Sequence, residues 1–116
     1  MTEGDLYEQL TAASESHKAT DARRTIVICH CRVRDFEHWK AGYERAVGAD
    51  PEILGYRIWR GQDDDSLIVV EETHASRSHA ELMFNHPATR EAMERDGIDV
   101  SSLRLDYLDE IDSWAR

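Results

Sequence analysis

Basic residues are few in this chain of 116 residues. It has 14 lysines and arginines against 24 aspartates and glutamates, which gives a formal net charge of −10 at pH 7. A field of that sign repels the phosphate groups of nucleic acids and of anionic membrane surfaces. No local cluster of lysines and arginines offsets it. We therefore expect neither a nucleic acid nor a membrane among the partners of this protein.

Long apolar runs and a targeting pattern are also missing. No run approaches the roughly 20 apolar residues that cross a bilayer, and residues 1–10, MTEGDLYEQL, lack the basic start and apolar centre of a signal peptide. These absences predict a cytoplasmic protein. The length suits one domain. We expect an N-terminal extension over residues 1–24, partly helical or mobile, and the folded domain over residues 25–116.

Cysteine is scarce, with Cys29 and Cys31 standing on either side of His30. Two cysteines in a cytoplasmic chain do not indicate a disulfide framework. The surrounding residues 25–33 are rich in β-branched side chains and predict a strand, along which side chains alternate between faces. Cys29 and Cys31 then point to one face and His30 to the other, so the three cannot bind one metal ion. We expect buried core cysteines and no metal site.

The hydrophobic pattern predicts the remaining elements and their order. A helix starts at Phe36, after an N-cap at Asp35, and ends at Gly48. Two strands follow, over residues 54–60 and 67–73, and then a helix over residues 76–85. A short helix starts at Pro87 and closes at Gly97, and the last strand covers residues 102–111. This order is β-α-β-β-α-β with a broken second helix, the α+β, ferredoxin-like unit with a four-stranded antiparallel sheet.

One face of such a sheet is covered by helices, and the other has no cover within the chain. An open apolar face of this size is normally buried by another subunit. We therefore expect a homodimer that forms through the open sheet faces.

Three segments resemble the dimeric α+β barrel superfamily, in particular its antibiotic-biosynthesis-monooxygenase and cyclase-like small proteins. They are VRDFEHWK at residues 33–40, GYRIWR at residues 55–60 and FNHPATREAM at residues 84–93. The resemblance covers about residues 25–112 and implies a dimeric α+β barrel. The superfamily contains cofactor-free monooxygenases, polyketide cyclases, lactone isomerases, haem-degrading enzymes and proteins of no known activity.

The chain departs from one pattern of that superfamily. Some of its monooxygenases pair an asparagine with a tryptophan beside the substrate or haem. Here the only asparagine is Asn85, which does not belong to the first strand. This departure weakens the case for anthrone-oxidising or haem-degrading chemistry.

Two residues are candidates for acid–base catalysis. His30 is expected on the open face, where a barrel cavity would let it accept a proton near neutral pH, or where it would pair with a carboxylate across the dimer seam. Glu71 and Glu72 end the third strand and face opposite ways. A carboxylate on the covered or cavity side needs a partner, for which His30, Arg32 or Arg104 is available. We take Glu72 as the second catalytic candidate, with a salt-bridged strand end as the alternative.

Five residues are candidates for substrate binding: Arg32, Tyr56, Trp59, His86 and Tyr107. Arg32 shares the face of His30, and His86 stands at the helix break, near the expected cavity mouth. The three aromatic side chains would stack against a flat, apolar ligand. Ordinary packing in the core or the dimer seam is the alternative for them.

These residues and the resemblance favour a cofactor-independent enzyme of small-molecule metabolism. It would act on a polyketide-like or aromatic compound, as a monooxygenase or as a cyclase or isomerase. The alternatives are a non-catalytic dimer that binds a small apolar or aromatic ligand, and a haem-binding or haem-degrading protein. No phosphate loop, dinucleotide fingerprint or nucleophile elbow supports nucleotide use or triad hydrolysis.

Overall fold

Four strands and three helices make up the described part of the chain, which in this computed structural model is residues 21–116 together with Glu8. They are β1 Thr25–Val33, α1 Phe36–Gly48, β2 Ile53–Arg60, β3 Leu67–His74, α2 Arg77–Asn85, α3 Pro87–Arg95 and β4 Ile98–Leu108. The predicted ferredoxin-like α+β order is confirmed, including the break in the second helix. Most of the predicted N-terminal extension, residues 1–24, lies outside the described residues. None of the described helices is long and apolar enough to cross a membrane.

The sheet has the strand order β2-β3-β1-β4, and each strand is antiparallel to its neighbours. In the centre, Cys29 of β1 lies opposite Val70 of β3 and Leu105 of β4. The apolar run of β3 therefore lies at a central position of the sheet.

Alternation along β1 assigns the two faces of the sheet. Odd-numbered side chains from Thr25 to Val33 are buried under the helices, whereas Ile26, Ile28 and His30 are half-buried on the other face. Both cysteines are buried and free. The prediction that they share the face opposite His30 is confirmed.

Local capping sets where the helices begin. The Asp35 carboxylate accepts a hydrogen bond from the His38 backbone N–H at 3.2 Å, which confirms the predicted cap of α1. Ser76 caps α2 in the same way. Pro87 suits the first turn of α3, and Nδ1 of His86 accepts from the Ala88 N–H at 3.1 Å. The break at His86 thus ends one helix and caps the next.

The helices pack against the covered face in two groups of buried side chains. Trp39 of α1 joins the cysteines, Val70 and Ile98. Ala80, Met83 and Phe84 of α2 pack on Val27. Each large apolar side chain buried in this way stabilises the fold by roughly 1.5–3 kcal/mol.

The last strand begins earlier than predicted. It spans Ile98–Leu108 instead of residues 102–111. Its register with β1 shifts opposite the segment between His30 and Arg32, and there the Ser102 hydroxyl accepts from the Arg32 backbone N–H at 2.9 Å. Because of this irregularity, Ser102 and Leu103 are both half-buried, and the alternation of residues 98–101 is out of phase with that of residues 103–108. Ile111, which the prediction placed in the strand, lies beyond its end and is 90% exposed.

Candidate functional site

A cavity of about 110 Å³ lies between the helices and the covered face of the sheet. Its walls are mostly apolar and include Cys29, Cys31, Trp39, Tyr43, Phe84 and Met93. An apolar cavity of about 150 Å³ is known to bind benzene. The present volume therefore suits a ligand about the size of one small ring.

Glu72 supplies a carboxylate to the sheet wall of this cavity and is only 4% exposed. The Tyr43 hydroxyl donates to its Oε2 at 2.5 Å, and Nε2 of His74 lies 2.7 Å from its Oε1. A buried carboxylate without such partners would be strongly unfavourable. The two hydrogen bonds stabilise Glu72 and fix its orientation at the cavity wall.

Tyr43 reaches Glu72 from α1. Its ring stacks on Trp39 with centroids 5.3 Å apart, and Tyr56 packs edge-on against it at 5.2 Å. Burial, together with the nearby charge of Glu72, raises the pKa of Tyr43 well above the ordinary tyrosine value. The hydroxyl therefore stays protonated and remains a hydrogen-bond donor to the carboxylate.

His74 is the second hydrogen-bond partner of Glu72. It is fully buried, two residues along the same strand face, and does not line the cavity. Its Nδ1 has no hydrogen-bond partner in the described part of the chain. We assign the ring proton to Nε2, because the carboxylate needs a donor there. His74 is thus a positioning residue for Glu72.

The two cysteine thiols line the cavity beside Glu72. The hydrogen bond with Cys31 and the burial of the side chain both raise the pKa of the Cys29 thiol. The raised pKa disfavours the nucleophilic thiolate form of Cys29, whereas the same hydrogen bond lowers the pKa of Cys31.

Two further carboxylates, of Asp50 and Asp96, line the cavity. Asp50 is buried, with Nε2 of His79 3.2 Å from its Oδ2 and the Glu52 backbone N–H donating to its Oδ1 at 3.0 Å. This pair links α2 to the loop between α1 and β2 and so supports the cavity wall.

The structure does not bring the two predicted catalytic residues together. Glu72 lies in the cavity on the covered face, and His30 lies on the open face with its Nε2 3.2 Å from Nη2 of Arg104. The expectation that His30, Arg32 or Arg104 would be the partner of Glu72 is wrong, since the partners are Tyr43 and His74. The catalytic role of His30 stays a prediction.

The five residues predicted to bind substrate are scattered. None of them is among the described residues that line the cavity. Arg32 forms an ion pair with Asp64 on the surface, and His86 caps α3. Trp59 is 54% exposed and Tyr56 is 39% exposed. The Tyr107 ring packs under the guanidinium of Arg77, whose Cζ lies 5.0 Å from the ring centroid. Their binding roles also stay predictions.

Sequence reasoning missed Tyr43 and His74 as partners of Glu72. A signal for each was present. Tyr43 follows Trp39 by four residues on the inward face of a predicted helix, and His74 follows Glu72 by two residues on a strand, so both point to the covered face. The sequence does not decide whether Glu71 or Glu72 faces the helices, so it could not identify the partners of Glu72.

Two crystal structures share this fold. One, from Chloroflexus aurantiacus J-10-fl, is described as a "putative antibiotic biosynthesis monooxygenase"; it is 15% identical, with a TM-score of 0.57 over 80% of this chain and 98% of its own. Another structure of the same description, from Caulobacter crescentus CB15, is 16% identical to this chain. Its TM-score is 0.59, and the match covers 84% of this chain and 99% of the other. No protein-family model and no curated protein matches the chain. The likeness confirms the ferredoxin-like fold.

Proposed function

We propose that this protein is an enzyme that removes a proton from a small, largely apolar or aromatic carbonyl compound. The reaction takes place in the cavity between helices and sheet, and Glu72 is the proton acceptor. The observation that carries this proposal is the buried Glu72 carboxylate, which faces the cavity and is held by Tyr43 and His74.

The arrangement suits general-base catalysis. Each carboxylate oxygen of Glu72 accepts one hydrogen bond from the protein and keeps a second acceptor position. The cavity walls are mostly apolar, so a C–H group held there meets a base that is already oriented. Proton removal next to a carbonyl requires no cofactor and no nucleophilic side chain.

One proton transfer would serve all the outcomes that the sequence leaves open. Oxygenation, cyclisation and isomerisation of a carbonyl compound can each start from the enolate that Glu72 would produce. The names of the two structural neighbours, both described as "putative antibiotic biosynthesis monooxygenase", support oxygenation among these.

A haem does not fit the cavity between the helices and the sheet. No histidine is among the described residues that line the cavity. His74 is bonded to Glu72, His79 to Asp50, and Nδ1 of His86 to the N–H of Ala88. An axial ligand would have to leave these partners, so we do not propose haem chemistry.

The small volume favours a second candidate, a protein that binds a small ligand without reaction. Ligand pockets of enzymes and receptors are usually about 300–1,000 Å³, and this cavity has about 110 Å³. Binding without proton transfer is therefore the alternative that the experiment below must separate.

We also infer a homodimer that forms through the open sheet face. Ile26, Ile28 and Val69 are half-buried there, and Trp59 is exposed beside them. The described helices pack on the opposite face. A second copy would remove this apolar surface from water.

Deuterium exchange tests the enzymatic proposal. Cyclopentanone in D₂O would exchange its α-protons faster with the wild-type protein than with buffer alone, as followed by proton NMR. Glu72→Gln should lower that enzymatic rate by about 10²-fold or more, since it removes the base. The matched control is Glu71→Gln, the same change one residue away on the opposite face, and it should keep the rate. Binding of the ketone without exchange would support the non-catalytic alternative.

A further inference from the structure

Thr89 carries a buried hydroxyl, without a partner among the described residues, in the helix wall of the cavity. Its side chain belongs to the first turn of α3, is 7% exposed and lines the cavity from the helix side. Its Oγ1 has no hydrogen-bond partner in the described part of the chain. Buried hydroxyl groups are nearly always hydrogen-bonded, because an unpaired one is unfavourable. The hydroxyl of Thr89 is therefore available to a bound molecule.

The charges around the cavity restrict what that molecule can be. Its described lining includes the carboxylates of Asp50, Glu72 and Asp96 and no lysine, arginine or histidine. Arg90, on the same helix as Thr89, donates its Nε to the Phe84 carbonyl at 2.8 Å and does not line the cavity. An anion would lose its hydration here, meet like charge and gain no counter-ion.

The three carboxylates would attract an ammonium ion, so the charges of the lining exclude anions only. The group that lacks a partner is a hydroxyl, which can donate to a carbonyl oxygen, whereas an ammonium group offers it no acceptor. The lining thus matches an uncharged hydrogen-bond acceptor better than it matches an anion.

We propose that Thr89 binds the carbonyl oxygen of the ligand and that the cavity selects uncharged, small-ring carbonyl compounds over anions. This inference rests on the proposed function, since it names the substrate class of the same site. Thr89 belongs to the helix wall and Glu72 to the sheet wall. A ligand between them can direct its carbonyl oxygen to one and its acidic C–H to the other, and the hydroxyl would stabilise the developing enolate oxygen.

Affinities of three probes of similar size test the selection. They are cyclopentanone, cyclopentylammonium and cyclobutanecarboxylate, titrated into the wild-type protein and followed by amide chemical shifts in NMR. The ketone should bind about fivefold or more tightly than the carboxylate. Tighter binding of either ion than of the ketone would overturn the assigned substrate class.

Two variants test the residue. Thr89→Val removes the hydroxyl with little change of shape and should weaken ketone binding about five- to tenfold, whereas Thr89→Ser keeps the hydroxyl and should stay within about twofold. Thr89→Val should unfold at the same or a higher denaturant concentration than the wild type, because no protein partner is lost. Equal ketone affinity in the wild type and Thr89→Val would overturn the role of Thr89.

The two levels of the proposal fail in different ways. If Thr89→Val changes nothing while Glu72→Gln still abolishes deuterium exchange, the role of Thr89 is wrong and the proposed function stands. If the wild-type protein neither binds cyclopentanone nor exchanges its protons, both are wrong.

Discussion

Tyr43 is the residue that connects the helix layer to Glu72, the proposed base. It donates to Oε2 of Glu72 while its ring packs between Trp39 and Tyr56. The phenol thus has two roles, a packing role that the helix pattern predicts and a polar role that depends on the strand opposite. Removing only its oxygen separates the two.

Tyr43→Phe should lower the free energy of unfolding by about 1–3 kcal/mol at neutral pH, because a buried carboxylate loses a donor. Chemical denaturation with an unchanged m-value measures this loss. A variant as stable as the wild type would show that the hydrogen bond adds nothing net to stability.

The same variant should change how stability depends on alkaline pH. Since the pKa of Tyr43 is raised in the folded protein, the unfolded chain releases this proton near pH 10 while the folded chain keeps it. The unfolded state then binds fewer protons, so stability falls as pH rises above about 10, by roughly 1.4 kcal/mol per pH unit from this group. Unfolding curves at pH 9–11 should show a shallower fall for Tyr43→Phe than for the wild type. Parallel falls would contradict the raised pKa.

At the scale of elements, the start of α1 is set by one capping side chain, that of Asp35. Asp35 has extended backbone, and its carboxylate accepts from the His38 N–H at 3.2 Å. The helix that begins there carries Trp39 and Tyr43 to the cavity. The cap therefore contributes to the stability of the wall and does not touch the ligand site.

Asp35→Ala should lower the free energy of unfolding by about 1 kcal/mol, whereas Asp35→Asn, which keeps a capping oxygen, should cost a few tenths. Both variants should retain the deuterium-exchange activity of the wild type. Thermal or denaturant unfolding, with the exchange assay beside it, gives both readouts. A large loss of exchange in a folded Asp35→Asn protein would place Asp35 in the site and contradict a capping role.

Elements with a complete local signal were predictable from the sequence. Residues 25–33 are rich in β-branched side chains, and Asp35 and Pro87 mark helix starts by their own chemistry. The start of β4 was not predictable, because the irregular pairing between Asp99 and Arg104 puts its two halves out of phase. The site was predictable only in part. The sequence offers Glu72 as a candidate, but its partners depend on which face of β3 meets α1, and that is decided by the assembled sheet.

At the scale of the whole molecule, the covered face and the open face differ in character. The covered face holds the cavity, and the open face combines apolar side chains such as Ile28 with polar pairs such as Arg57–Glu71, whose Nε–Oε2 distance is 2.8 Å. Half-buried apolar groups framed by ion pairs are typical of a surface that meets a second copy. Catalysis and dimerisation would then use opposite sides of one sheet.

Val69→Asp tests the inferred dimer. Val69 is half-buried on the open face of β3, so a carboxylate there would have to be desolvated in the interface, and the protein should become monomeric at micromolar concentration. Sedimentation velocity measures the change. The control is Asp65→Lys, which should leave the dimer intact, because the Asp65 side chain lies in a turn and is 86% exposed. A wild-type protein that sediments as a monomer would contradict the inference.

The measurement that decides where the chemistry takes place is the rate of cyclopentanone deuterium exchange in wild type, Glu72→Gln and His30→Ala. The two residues lie on opposite faces of the sheet, so the variants report on separate sites. We predict that Glu72→Gln loses about 10²-fold or more of the enzymatic rate and that His30→Ala retains it. Loss of the rate in His30→Ala, with full activity in Glu72→Gln, would contradict the cavity as the active site and move the reaction to the open face.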